Sequence, residues 1–346
     1  MAAIELHGMT WDHSRGYPCM VAVSQRYEEL HPHVKIHWEK RSLADFENQP
    51  VGEAAHSTGA SYRSYTMNGH QLALPVDGAT PIALYRENLI GTAEHPLPTT
   101  WQELIALAKT GEVVVAAAPL YTLLDFFMMC ATIAGGEETL YQEKIAPDEV
   151  AREALERQRE LLTLCDPIAF EINPIQVHEI LSSNQKKFTY CPFVFGYSNY
   201  CRPGYSTYQL KACNVVRYGE RMLKTTLGGT GLAISSKCEH LQETVDFCQY
   251  AASETIQKTI FFDAGGQPGY RTAWLDPAVN RRSNGFFADT LETMEQASMR
   301  PRYNGYMQLQ DNGGTVLREY LMTGRDLTGT LERLNTLYRK SRGLKG

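Results

Sequence analysis

The opening forty residues set the tightest limit on the fold, because two alternating stretches bracket one of helical period. Ile4, Leu6 and Gly8 alternate, Met20, Val23, Tyr27 and Leu30 recur at three-to-four-residue spacing, and Val34, Ile36 and Trp38 alternate again. This order predicts a βαβ unit. Such a unit returns its second strand parallel to the first through a right-handed crossover. The loop Thr10-Trp11-Asp12-His13-Ser14-Arg15-Gly16 then lies at the carboxyl end of a strand, the edge at which open α/β sheets bind ligands.

A chain of 346 residues is longer than one hydrophobic core usually organises, so two lobes are expected. Hydrophobic residues at 43% and charged residues at 21% exclude a mainly disordered or collagenous chain. The net charge is −6 and no Lys/Arg block exceeds a small cluster such as Arg281-Arg282, so nucleic acid is not an expected partner. The apolar stretch 113–120 is too short to span a bilayer, and 123–134 is interrupted by Asp125, so no membrane insertion is expected. Met1 leads into Ile4-Glu5-Leu6 without a basic region, an apolar run or a cleavage site, which predicts a cytoplasmic protein as the sequence is written. If a signal had been removed from it, the location would be periplasmic or extracellular. Cys19, Cys130, Cys165, Cys191, Cys201, Cys213, Cys238 and Cys248 form no CxxC pair and read as reduced thiols.

Asn68-Gly69 between Tyr65-Thr66-Met67 and 70–74 predicts a β-hairpin with a two-residue turn. Thr100-Trp101-Gln102-Glu103 matches a capping box, with a helix to Lys109 and a stop at Gly111. Residues 113–118 read as a buried strand entering the second lobe, and 227–235 as another strand. Helices are expected over 147–164, 174–181, 286–297 and 327–338.

Phe188, Tyr190, Phe193, Phe195, Tyr197, Tyr200, Tyr205 and Tyr208 crowd one stretch, with Ser198, Asn199 and Arg202 between them. Flat apolar faces beside hydrogen-bonding groups suit a sugar or polyol. The same pattern also fits a strand with core aromatics at Phe188, Tyr190 and Phe193, followed by a Tyr-rich loop. Gly228-Gly229-Thr230-Gly231 and Gly265-Gly266-Gln267-Pro268-Gly269 let backbone approach a ligand closely, or are tight turns at strand ends. Neither has the spacing of a phosphate or dinucleotide motif, so no nucleotide or other cofactor is expected. His31, His33 and His37 lack a Cys or acidic partner in register, and no metal site is expected. Asp12, His13 and Asp77 could form an acid/base set, or simply hydrogen-bond a ligand and cap the following helix.

Gly8-Met9-Thr10-Trp11-Asp12-His13-Ser14-Arg15-Gly16-Tyr17 resembles a subgroup of the extracellular solute-binding proteins of carbohydrate-type ABC importers. The resemblance continues through Leu74-Pro75-Val76-Asp77, Tyr190-Cys191-Pro192, Phe195-Gly196-Tyr197-Ser198-Asn199-Tyr200, both glycine-rich turns and Arg300-Pro301-Arg302-Tyr303. It implies an α/β, two-lobed type II periplasmic-binding-protein fold with a ligand cleft between the lobes that closes on binding. Lobe 1 would be 1–112 with 226–285, and lobe 2 would be 113–225 with 286–346. The chain departs from the family after Trp38, where a helix-strand segment is shortened or absent and Phe46-Glu47-Asn48-Gln49-Pro50 passes almost directly to Val51-Gly52-Glu53-Ala54-Ala55.

The resemblance implies a small polar ligand of carbohydrate-like class, and an ABC permease as partner if the protein is exported. Trp11 and, from the second lobe, Tyr197 would stack on the ligand. Asp12, Arg15, Asp77, Asn199 and Arg271 would hydrogen-bond it. Gly229 and Gly266 would offer backbone amides, with His13, Ser198, Thr230 and Gln267 beside them. The competing expectation is a cytoplasmic enzyme on the same scaffold, with Asp12, His13 and Asp77 moving protons on a sugar or an oxygen-rich organic acid; fold does not separate the two, because function lives in the site.

Overall fold

A computed structural model describes residues 4–41, 57–67 and 69–343. β1 (Ile4–Trp11) and β2 (Val34–Arg41) run parallel, with Ile4 opposite Val34 and Trp11 opposite Arg41, and α1 (Tyr17–Leu30) connects them. The βαβ opening is therefore as the periodicity implies. Trp11, expected in the loop, is the last residue of the strand, because the Asp12 amide donates to the Arg41 carbonyl at 2.9 Å and holds the pairing to its end. The expected shortening between 46 and 60 falls largely on 42–56, outside the described residues.

β3 (Thr66–Met67) and β4 (His70–Gln71) pair antiparallel, with Met67 opposite His70, so two residues make the turn. Of these, Asn68 lies outside the described residues, and Gly69 has φ +78°. The chain continues through β5 (Leu74–Ala79), β6 (Pro81–Tyr85), α2 (Trp101–Ala108), α3 (Pro119–Ala134), α4 (Asp148–Leu162), α5 (Pro174–Ser182), β7 (Tyr190–Phe195) and β8 (Lys211–Cys213). After β9 (Gly228–Leu232) and α6 (Leu241–Ala252) come short helices, then α7 (Tyr306–Thr323) and α8 (Leu327–Ser341). The helix expected over 286–297 is two pieces, Phe286–Asp289 and Leu291–Glu295.

Two compact units emerge. The first takes the residues up to Ala79, Tyr197–Arg202 and Gly228–Ala288; the second takes Thr80–Gly196, Pro203–Leu227 and the residues from Asp289 onward. The chain enters the second unit at Thr80 rather than at 113, because β5 pairs with β9 while β6 pairs with β7 and β8. Residues 113–118 make no strand: Val113 forms a single bridge with Tyr190, the Val114 amide donates to the Tyr190 carbonyl, and the Ala117 amide donates to the Ala169 carbonyl.

In the first unit, Met20, Val23 and Tyr27 of α1 pack with Leu6, Val34, Val76, Phe247 and Phe261. The spacing that predicts the helix is thus the buried face as far as Tyr27, while Leu30, the last residue of that stripe, is exposed. The second unit is built around α3, whose residues 122–132 are all buried. α4 and α7 cover it, and Gly314 of α7 comes so close that a Cβ there would lie 1.5 Å from the Pro119 carbonyl oxygen. The Thr100/Glu103 capping box opens α2, with the Glu103 amide donating to Thr100 Oγ1 and the Thr100 amide to Glu103 Oε2. No helix among the described residues is long and apolar enough to cross a membrane.

Candidate functional site

The turn after β1 is closed by backbone. The His13 amide donates to the Trp11 carbonyl at 2.9 Å, and the His13 carbonyl accepts from the Gly16 and Tyr17 amides, which launch α1. Gly16 is required there, since a Cβ would meet the Trp11 carbonyl oxygen at 2.7 Å. Arg15 is thereby fixed facing β5. Its guanidinium holds Asp77 through both arms, Nε to Oδ2 at 3.0 Å and Nη2 to Oδ1 at 3.1 Å. Both residues are buried, at 6% and 4% exposure. A buried pair of this kind persists only with such two-point geometry.

Aromatic rings surround the guanidinium. Arg15 Cζ lies 4.7 Å from the Tyr197 ring centre and 5.2 Å from that of Trp11. Trp11 and Tyr197 meet edge to face at 6.0 Å. His13 stacks on Trp11 at 4.5 Å with the planes 12° apart, and meets Tyr197 at 5.1 Å. Tyr197 belongs to the first unit, not the second as expected, because the six residues Tyr197–Arg202 are fastened there. The Ser198 amide donates to Gln267 Oε1 at 3.0 Å, Asn199 Nδ2 to Ser14 Oγ at 2.9 Å, and Arg202 to the carbonyls of Phe262 and Gly266. Gln267 Nε2 in turn donates to the Gly78 carbonyl, so one buried amide ties β5 to this segment.

Asp12, His13 and Asp77 each have a partner of their own. Asp12 is exposed and pairs with Lys40 at 3.0 Å. His13 Nδ1 accepts the Arg15 amide at 3.0 Å. Burial, helped by the Arg15 charge and opposed by Asp12, pushes the His13 imidazole down to about 4, so it is neutral at pH 7. Burial pushes the Asp77 carboxyl up to about 6 against the pull of Arg15, which leaves it ionised at pH 7. The charges therefore cancel in pairs. Asn199 Oδ1 and Ser198 Oγ are among the buried polar atoms that have no hydrogen-bond partner within the described residues.

The remaining expected residues divide. Thr230 faces Asp77 across the β5–β9 pair. Gly229, at φ +107°, lets the strands touch, since a Cβ would come within 2.2 Å of the Asp77 carbonyl oxygen. Its own carbonyl accepts from Tyr65 Oη at 3.2 Å. The Gly266 amide, expected to face a ligand, already donates to the Phe261 carbonyl at 2.9 Å. Arg271 begins a short helix and is exposed, unlike Arg15. Ser14 and Tyr65 join the cluster without any spacing signal, because their partners are 185 and 164 residues away in sequence. Among the described residues no group of three or more His, Cys, Asp or Glu could hold a metal ion.

No protein-family model matches the sequence. No curated protein matches it. Solved structures do. Maltose-bound MalE3 of Thermotoga maritima aligns over 98% of this chain and 100% of its own, with a TM-score of 0.82 at 15% identity. An ABC transporter solute-binding protein from Agrobacterium radiobacter K84 in complex with ribitol covers 98% and 99%, with a TM-score of 0.76 at 16% identity. An ABC substrate-binding protein from Listeria monocytogenes in complex with cycloalternan covers 99% and 100%, with a TM-score of 0.78 at 12% identity. The chain therefore has the fold of these proteins, the α/β type II periplasmic-binding fold.

Proposed function

We propose that this protein binds a small, uncharged, hydroxyl-rich solute of carbohydrate type, in the manner of the solute-binding proteins that share its fold. The carrying observation is the pair of unpartnered buried atoms, Asn199 Oδ1 and Ser198 Oγ, in a cluster where the charges of Arg15, Asp77 and Asp12 are already paired. Leaving such atoms unmade costs about 1–3 kcal/mol each, a cost that ligand hydroxyls remove. A charged ligand would find neither a spare cation nor a spare anion in the Arg15 and Asp12 pairs. Sugars and a polyol bound to proteins of the same fold support the class. The ring faces of Trp11 and Tyr197 supply the apolar contact.

Native mass spectrometry of freshly purified protein, followed by titration calorimetry with maltose and ribitol, tests this reading. A neutral polyhydroxyl adduct, displaced by excess maltose or ribitol, is expected; a phosphorylated or carboxylated ligand would overturn it. A permease partner would need the protein outside the cytoplasmic membrane. The scattered cysteines, none of which forms a disulfide, favour the cytoplasm instead. Cell fractionation separates the two, with recovery in the cytoplasm expected.

A further inference from the structure

We infer that His13 occupies the position on Trp11 that a sugar ring would take, and so sets the preference between pyranose and open-chain ligands; this rests on the proposed function. The indole of Trp11 is the largest flat apolar surface in the cluster, yet it is only 5% exposed. His13 covers it as a stacked ligand would, centre to centre at 4.5 Å and 12° from parallel. The imidazole is half-buried and forms no ion pair among the described residues, and the one hydrogen bond described for it is the Arg15 amide on Nδ1.

The backbone of His13 itself is secured without its side chain. Its amide and carbonyl are both used in the turn, so rotation about χ1 gives up one turn bond, the Arg15 amide on Nδ1, and leaves the bonds that launch α1 in place. Tyr197, edge-on to both rings, borders the place that the imidazole fills. A pyranose with an apolar C–H face gains by displacing His13, because it replaces one stacked ring with another and frees the imidazole for water. An open-chain polyol has no such face. It bonds to Asn199 and Ser198 and leaves His13 in place.

The test compares wild type with His13→Ala, using maltose and ribitol as calorimetric probes. His13→Ala should tighten maltose roughly tenfold, the scale of one ring contact, and leave ribitol unchanged. His13→Leu, which restores bulk without nitrogen, should return maltose affinity to near the wild-type value. Equal changes for both probes, or weaker maltose binding in His13→Ala, would overturn the inference. Acrylamide quenching of the unliganded proteins gives a readout that needs no ligand. His13→Ala should add quenching that disappears in the His13→Ala/Trp11→Phe double variant. Unchanged quenching overturns the inference whatever binds. Added quenching with binding of neither probe overturns the proposed function, and the inference with it.

Discussion

Each unit buries one arginine with a well-defined task, and the tasks differ. Arg86, 1% exposed in the second unit, has no carboxylate among its described partners. Its Nη1 donates to the carbonyls of Leu181, Ser183 and Gln185 at the end of α5, its Nε to Asn88, and its plane lies 3.9 Å from the Tyr208 ring centre. Arg15 in the first unit is instead neutralised by Asp77 and flanked by rings. A guanidinium spent on backbone carbonyls finishes a helix and leaves nothing over. A guanidinium balanced by one carboxylate keeps its surroundings polar, shaped and neutral, which suits a recognition surface better than a joint.

The largest effect should come from Arg86→Met, which strands three carbonyls and costs about 4 kcal/mol of stability in denaturant unfolding, with no change in ligand affinity. Arg15→Met should cost about 3 kcal/mol by leaving the buried Asp77 carboxylate without its counter-charge. Here the contrast can be broken. The double variant Arg15→Met/Asp77→Leu should recover most of that loss, as buried ion pairs replaced by apolar residues do, while losing ligand binding. Full recovery of binding in the double variant would mean that the pair is only a joint, like Arg86.

Trp11→Ala should weaken binding by about 2 kcal/mol, roughly thirtyfold, and also lower the melting temperature, because the residue is buried. Normal binding with a lowered melting temperature would make Trp11 a core residue only. The smallest effect is in pH dependence. His13 titrates near 4 in the folded protein and near 6.5 unfolded, so its contribution to stability is present above 6.5 and is lost as pH falls through 4. Asp77 titrates near 6 folded and 3.8 unfolded, so its contribution is present below 3.8 and is lost as pH rises through 6. The two oppose each other between pH 4 and 6. Thermal melts of His13→Gln should show stability falling with rising pH across that window, and those of Asp77→Asn should show it rising.

The positions that the sequence makes legible are those fixed by nearby residues. The alternation of Ile4 and Leu6, the α1 stripe and the Thr100/Glu103 box each express a periodicity or cap that needs no distant partner. Trp11 and Arg15 could be placed near the carboxyl end of a strand for the same reason, since strand ends follow from strands. The side of the molecule on which Tyr197–Arg202 sits could not, because it depends on Gln267 and Ser14, far away in sequence. Residues 113–118 mislead by composition. They are apolar enough for a central strand, but Tyr190 offers them one bridge and no ladder. Gly266 misleads through its freedom, which serves a turn closed on Phe261.

The close seating of α3 against α7 has a consequence for how the chain is made. All of α3 from Thr122 to Thr132 becomes buried, yet the helix that brings Gly314 onto Pro119 begins about 170 residues after α3 ends. At ribosomal speeds of roughly 5–20 residues per second, that apolar helix leaves the exit tunnel on the order of 10–30 s before its cover does. Contacts of such sequence separation also slow the search once synthesis is complete. Until α7 emerges, the nascent chain has α4 alone of the two covering helices, and the α3 surface that receives α7, Leu123 among it, meets its surroundings. That interval is the protein's window for chaperone capture, and the time when misassembly with another copy competes most strongly with folding.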